Sequence, residues 1–172
     1  MKKFLSLACC LFVFTVFAAN EEEESTLAKV GQSAPAFQVT TLDGKVFDLK
    51  DAKGKVVLIN FFATWCGPCM AEIPHLQDQV WNRFKDKNFV MVAINREETE
   101  AVVRDFQKKR QFGFPIACDL KREVYAKFAT KFIPRNFLID ANGVIIFQST
   151  GFNEAEFKKL IAVIEKETEK AH

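Results

Sequence analysis

The chain has 172 residues, 49% hydrophobic and 27% charged, which is the composition of a soluble globular protein with room for one domain and a real core. A formal charge of only +2 makes no case for nucleic acid as a partner. The 19 phenylalanines scatter over strand and helix positions, as core filler does, and form no aromatic platform.

The first residues read MKKFLSLACCLFVFTVFAAN. Lys2 and Lys3 precede an uncharged apolar run from Phe4 to Phe17, and Val16 and Ala18 are small residues suited to a cleavage site. Residues 1–18 are therefore expected to be a secretory signal peptide, cut after Ala18. Its loss removes Lys2, Lys3, Cys9 and Cys10 and leaves 22 basic against 22 acidic residues. Retention as a membrane anchor is one alternative, since the run could nearly cross a thin bilayer. Lipidation at Cys9 or Cys10 is another, although most of the apolar run follows those cysteines. Either way the protein is expected to be exported, periplasmic or otherwise extracytoplasmic. Residues 19–29, ANEEEESTLAK, form an acidic stretch expected to be a solvated, flexible linker ahead of a single domain at 30–172.

From Ala36 the text alternates short apolar runs with turn signals. Ala36–Val39 and Val46–Leu49 flank Asp43-Gly44, which predicts a hairpin. Lys55–Phe62 is β-branched and almost wholly apolar, as a buried central strand should be. A helix is expected from Cys66 to about Lys85, with Pro74 disturbing it near Met70. A second buried strand follows at Phe89–Ile94. Apolar spacing at Val102, Val103 and Phe106 predicts a helix over Thr99–Phe112. Phe114–Ala117 reads as a short strand and Glu123–Phe128 as a helix. Asn136–Asp140 and Gly143–Phe147, split by an Asn-Gly turn, predict another hairpin, and Phe157, Leu160, Ile161 and Ile164 an amphipathic last helix. The sum is an α/β domain: a central mixed sheet flanked by helices, with an N-terminal hairpin and an αβ insertion after the first βαβ unit.

Within the stretch FFATWCGPCMAEIP, Cys66 and Cys69 admit three uses. Zinc needs four ligands, and after export only Cys118, His75 and the terminal His172 could supplement the pair. No metal is expected. A purely structural disulfide would close a minimal loop and restrain little of the unfolded chain. A redox pair fits the context of strand, pair, then helix. A helix starting at Cys66 aims its free N–H groups and dipole at that sulfur and favours thiolate. Pro68 suits the first helical turn, and Cys69 lies one turn further in, where a resolving thiol belongs. Glu72 shares a helical face with Cys69 and could take its proton, or could be a surface residue that merely completes the helix.

The string Trp65-Cys66-Gly67-Pro68-Cys69 resembles the active site of the thioredoxin superfamily. Asn60–Cys66 together with Glu72 and Pro74 resembles its exported TlpA/ResA-like thiol-disulfide oxidoreductases. The likeness runs from about Gly31 to Ile164 and includes Gly31–Phe37, Phe114-Pro115, and Phe137–Asp140 with Gly143. It implies a thioredoxin-like fold, with Trp65, Gly67, Pro68 and Pro134 supporting the cysteine pair. Thioredoxins proper carry a buried aspartate where this chain has Asn60; in the exported branch a glutamate on the active-site helix replaces it, which implies Glu72. The resemblance also implies that Pro134 is a cis-proline facing the disulfide, and that Trp65 and Ile133 meet an extended substrate. Arg135 follows Pro134 where the family often has a small hydroxyl residue. It either reaches the Cys66 sulfur and the substrate or sits solvated at the rim.

A Gly-Pro dipeptide between the cysteines resembles reducing thioredoxins, at about −270 mV, more than strong oxidases at about −120 mV. The resemblance therefore implies reduction of exported protein disulfides, apocytochrome c among them, by a monomer that needs no cofactor beyond the Cys66–Cys69 pair and is itself re-reduced by a membrane thiol-transfer partner. Two alternatives remain. Thiol peroxidases of the peroxiredoxin type share the fold, but Thr64 is one residue too close to Cys66 for their pattern. A non-catalytic binding module would have little use for an intact cysteine pair. Cys118 reads as a small core residue.

Overall fold

A computed structural model of the chain describes residues 21–170, so the leader expected at residues 1–18 lies outside the described residues. Strands β1 (Gln38–Thr40) and β2 (Val46–Asp48) pair as an antiparallel hairpin. Strand β3 (Val56–Phe62), helix α1 (Gly67–His75) and strand β4 (Phe89–Arg96) form a parallel βαβ unit, which helix α2 (Glu100–Arg110) and strand β5 (Ile116–Asp119) extend at one edge. Helix α3 (Tyr125–Phe128), strands β6 (Arg135–Ile139) and β7 (Ile145–Thr150) and helix α4 (Glu154–Lys170) complete the chain. The five-stranded sheet has the order β5-β4-β3-β6-β7, parallel on the β5 side of β3 and antiparallel on the other. This is the mixed, helix-flanked sheet expected from the sequence, with its separate N-terminal hairpin.

Local chemistry accounts for the boundaries. All seven residues of β3 are buried, as its apolar run requires of a central strand. Strand β5 begins at Ile116 and not at Phe114, because Pro115 has no N–H to contribute to a ladder. In the last hairpin, Gly143 adopts a φ of 87°, and Asp140 Oδ1 accepts hydrogen bonds from the backbone N–H groups of Asn142 and Val144. Pro74 lies inside α1, and directly after it the winding opens into a π-helical turn over Leu76–Trp81 before closing again at Asn82–Phe84.

The period-two alternation of the strands divides the interior into two cores. Val56, Leu58 and Phe62 of β3 and Leu138 of β6 pack beneath α1 and α4 with Ile73, Leu76 and Leu160. Val57, Ile59 and Phe61, with Phe137 and Ile139, face the opposite way and pack against Tyr125, Phe128 and Phe37. Phe61 is at the centre of this second core, with ring centroids 5.2 Å from Tyr125, 5.4 Å from Phe128 and 6.1 Å from Phe137.

The acidic N-terminal stretch corrects one expectation. It is not a tether over its described part: residues 21–25 are helical, and Ser25, Thr26 and Ala28 are buried. Thr26 bridges to Ala129, Leu27 and Ala28 donate to Phe128 O, and Thr130 donates to Ser25 O. Charge pattern made the stretch look solvated, but its small hydroxyl and alanine residues are what dock.

Phe61→Ala should lower stability by about 3–5 kcal/mol, since it empties a three-ring cluster that the strand backbone cannot collapse to fill. Urea unfolding of the oxidised protein measures this, and a loss below about 1 kcal/mol would mean that the second core repacks freely.

Candidate functional site

The chain leaves β3 at Phe62 and enters α1 at Gly67, so the cysteines sit at the carboxyl end of the central strand, where open α/β sheets place their chemistry. Cys66 and Cys69 form a disulfide with Cα atoms 5.2 Å apart. Cys66 is the extended N-cap residue of α1, and its Sγ accepts the Cys69 N–H at 3.2 Å. The same donor and the helix dipole would stabilise a thiolate there after reduction. Cys66 is 5% exposed and Cys69 0%, so only the first sulfur has an edge open to a partner. Trp65 beside it is 64% exposed, large and apolar. Gly67 and Pro68 are exposed on the first helical turn, and a Cβ on Gly67 would meet nothing within 4 Å.

The approach to the cysteines is held by a carboxylate the sequence reading did not select. Glu98, in the loop after β4, accepts the Thr64 N–H at 2.7 Å and the Thr64 hydroxyl at 2.5 Å, and Asn95 Nδ2 donates to it at 2.6 Å. No spacing rule links Glu98 to Thr64, which are 34 residues apart.

Glu72 is buried, not a surface residue, with 1% exposure on the face of α1 that carries Cys69. Its Oε2 accepts from Asn60 Nδ2 at 2.9 Å and its Oε1 from Asn136 Nδ2 at 2.6 Å. Asn60 Nδ2 also donates to Asn136 Oδ1 at 2.9 Å. Burial pushes the Glu72 carboxyl up to about 7 from an ordinary 4.5, against the two amide hydrogen bonds, which favour the ionised form. Asn136 was missed at the sequence level. The available signal was a second asparagine in an apolar strand, and register places it directly opposite Asn60.

The Ile133–Pro134 peptide is cis, Pro134 is buried, and Ile133 O lies 3.6 Å from Cys66 Sγ. Arg135 goes elsewhere, and both expectations for it are corrected. It is 1% exposed, so it is not a rim residue, and its guanidinium bonds other groups than Cys66. Nη1 donates to Thr26 Oγ1 at 2.8 Å, Nη2 to Ser25 Oγ at 2.5 Å and Nε to Lys131 O at 2.9 Å. Strand alternation is the reason: Asn136 faces α1, so its neighbour Arg135 must face the other core. Cys118 is half-buried, and burial together with Glu100 pushes its thiol up to about 11, the wrong direction for a nucleophile.

Comparison with known proteins places this arrangement among relatives. The AhpC/TSA family profile matches residues 30–148. The thiol-disulfide oxidoreductase ResA of Bacillus thuringiensis subsp. konkukian is 35% identical over 147 residues, covering 86% of this chain and 84% of that protein. ResA of Bacillus subtilis is 32% identical, covering 86% and 81%. Among solved structures, one from Bacteroides thetaiotaomicron described as a protein disulfide isomerase superposes with a TM-score of 0.81 at 33% identity, covering 86% of this chain and 98% of that one.

Because the folded-state value of Glu72 lies above its ordinary one, the folded protein holds that proton more tightly than the unfolded chain. The stabilisation is fully present below about 4.5 and is lost as pH rises through about 7. Oxidised protein should therefore lose on the order of 3 kcal/mol across that window, and Glu72→Gln should remove this component. Unfolding free energies measured from acid to mildly alkaline pH decide it; parallel curves for the two proteins would contradict the assignment.

Proposed function

Because the chain belongs to the AhpC/TSA family and to the ResA-like thiol-disulfide oxidoreductases, we propose that it reduces the disulfides of exported proteins through Cys66 and Cys69. In the reduced enzyme the Cys66 thiolate attacks one sulfur of the target disulfide. A Cys66–target bond forms, the target S–S bond breaks, and the leaving thiolate takes a proton. Cys69, having given its proton to Glu72, then attacks Cys66 Sγ. The mixed disulfide breaks, the Cys66–Cys69 bond forms, and the target leaves as a dithiol with the enzyme's two electrons.

The observation that carries this reading is the pairing of a buried Cys69 with a buried Glu72 on one helical face. A resolving thiol with no exposure needs an internal base, and a carboxyl held near 7 is poised to accept and release a proton. Asn60 supplies no such base. It holds Glu72 instead.

For docking, the Ile133 backbone N–H makes no hydrogen bond among the described residues, which leaves it for an extended target strand beside Cys66. Trp65 offers apolar surface on the other side of the pair. The electrons need no further cofactor in the protein, and in an oxidising compartment a membrane thiol-transfer partner must restore the dithiol. Apocytochrome c is one target class of this reading, and a monomer suffices for it. A peroxidase would need an arginine at its reactive sulfur, and Arg135 is committed to Ser25, Thr26 and Lys131.

Insulin reduction by the purified protein should require both cysteines, and its potential should fall on the reducing side, closer to about −270 mV than to about −120 mV. Cys69→Ala should accumulate mixed disulfides on Cys66, visible on non-reducing gels. Resolution should speed up as pH rises through about 7 in the wild type and lose that inflection in Glu72→Gln. A potential in the range of strong oxidases, or dithiol-driven peroxide consumption faster than insulin reduction, would sink the reductase reading.

A further inference from the structure

The N-terminal segment packs against the loop that presents Ile133, and that placement is not accounted for by the redox chemistry. Arg135 is the joint. It is a buried cation whose three hydrogen bonds all go to neutral oxygens. Two of these belong to Ser25 and Thr26 on the segment. The third is Lys131 O, at the start of the loop Lys131–Pro134. One guanidinium therefore fixes the segment and the substrate-facing loop relative to each other. Breaking one partner of such a buried charge, each of whose three nitrogens is bonded, is costly, so the joint is rigid. Phe132, in the same loop, is held at a φ of 68° with its carbonyl accepting the Tyr125 hydroxyl at 2.6 Å, and its side chain is 41% exposed.

The result is a surface groove lined by Glu22, Phe132, Ile133, Thr150 and Gly151. One wall is apolar and ends at Ile133, whose carbonyl touches Cys66 Sγ. The opposite wall is the segment, and the charge it presents is that of Glu22. Among the neighbouring glutamates, Glu21 is paired with Lys131 and Glu23 with Lys29, and Glu24, which has no ion pair among the described residues, does not line the groove. The exposed Glu22 carboxylate has no ion-pair partner among the described residues and adds only its longer-range field to Arg135. A groove bordered by the residue whose carbonyl touches the Cys66 sulfur, apolar on one side and anionic on the other, complements an extended polypeptide carrying a cationic residue near its cysteine.

We propose that residues 21–28, locked in place by Arg135, form one wall of the target-binding groove, and that Glu22 on this wall selects polypeptide disulfides flanked by basic residues. The proposal rests on the disulfide-reductase reading and adds a specificity element to it. Glu22 is the specificity residue and Arg135 a positioning residue.

The test uses two peptide disulfides identical except for Lys or Glu beside the cysteine, with hydroxyethyl disulfide as a small neutral substrate. Lysine also makes a disulfide inherently more reactive, so each enzymatic ratio is divided by the ratio that dithiothreitol gives with the same peptides. Wild-type kcat/KM should favour the Lys peptide about two- to five-fold, the yield of a single solvent-exposed charge pair, and the preference should shrink at high salt. Glu22→Gln should bring the ratio to about one and Glu22→Lys should invert it. Arg135→Thr should lose the preference through KM, as the wall detaches; if that variant does not fold, the two Glu22 variants decide alone. Equal corrected rates in the wild type, or a preference untouched at Glu22, would overturn the proposal while turnover of hydroxyethyl disulfide left the redox reading standing. Failure on every disulfide would remove the redox reading and this proposal with it.

Discussion

A carboxylate buried without a cation is the constraint around which this molecule is organised. Glu72 can be accommodated only because two amides reach it, one from β3 and one from β6, and those amides are aligned by the antiparallel register that sets Asn60 opposite Asn136. The register in turn depends on the long-range antiparallel return of β6 beside β3, and on the apolar neighbours that fix which face each residue takes. Displacing either strand by one residue would send its asparagine into the other core and leave Glu72 with one donor in place of two. The buried carboxyl is thus also a test of correct assembly.

The two faces of the sheet separate two tasks. On the α1 face, even-numbered residues of β3 and β6 support the redox pair: Asn60 and Asn136 hold Glu72, and Leu58, Phe62 and Leu138 pack around them. On the other face, odd-numbered residues build an aromatic core around Phe61, Tyr125, Phe128 and Phe137, with Arg135 at its edge. Arg135 and Asn136 are neighbours in sequence and lie on opposite sides of the sheet. One supports the helix that carries the cysteines and the other fixes the N-terminal segment, with Pro134 immediately before both. The loop facing the disulfide is therefore braced from both sides, while Glu98 braces Thr64 on the approach to Cys66.

Much of this was legible in the chain before folding. Dense β-branched runs marked β3 and β4, Asp-Gly and Asn-Gly marked the hairpins, and the cysteine spacing before a proline-started helix marked the reactive pair. Each of these is a local signal, set by the conformational preferences of a few consecutive residues. The acidic run before residue 30 misled because charge density reports solvation of side chains and says nothing of backbone partners offered by Phe128 and Thr130. Arg135 misled because an arginine beside an active-site proline is read as a surface group unless strand parity is followed through.

The sequence by itself determined the elements, their approximate order in a mixed sheet, and the identity of Cys66, Cys69 and Glu72 as a candidate unit, since all three lie within two turns of one helix. Only the tertiary structure decided which side chains hold that unit. Asn136 is 64 residues from Glu72, Thr64 is 34 from Glu98, and Ser25 is 110 from Arg135. Contacts at such separations depend on register and on which face of the sheet each residue takes, and those are settled only when the whole hydrophobic pattern is satisfied at once.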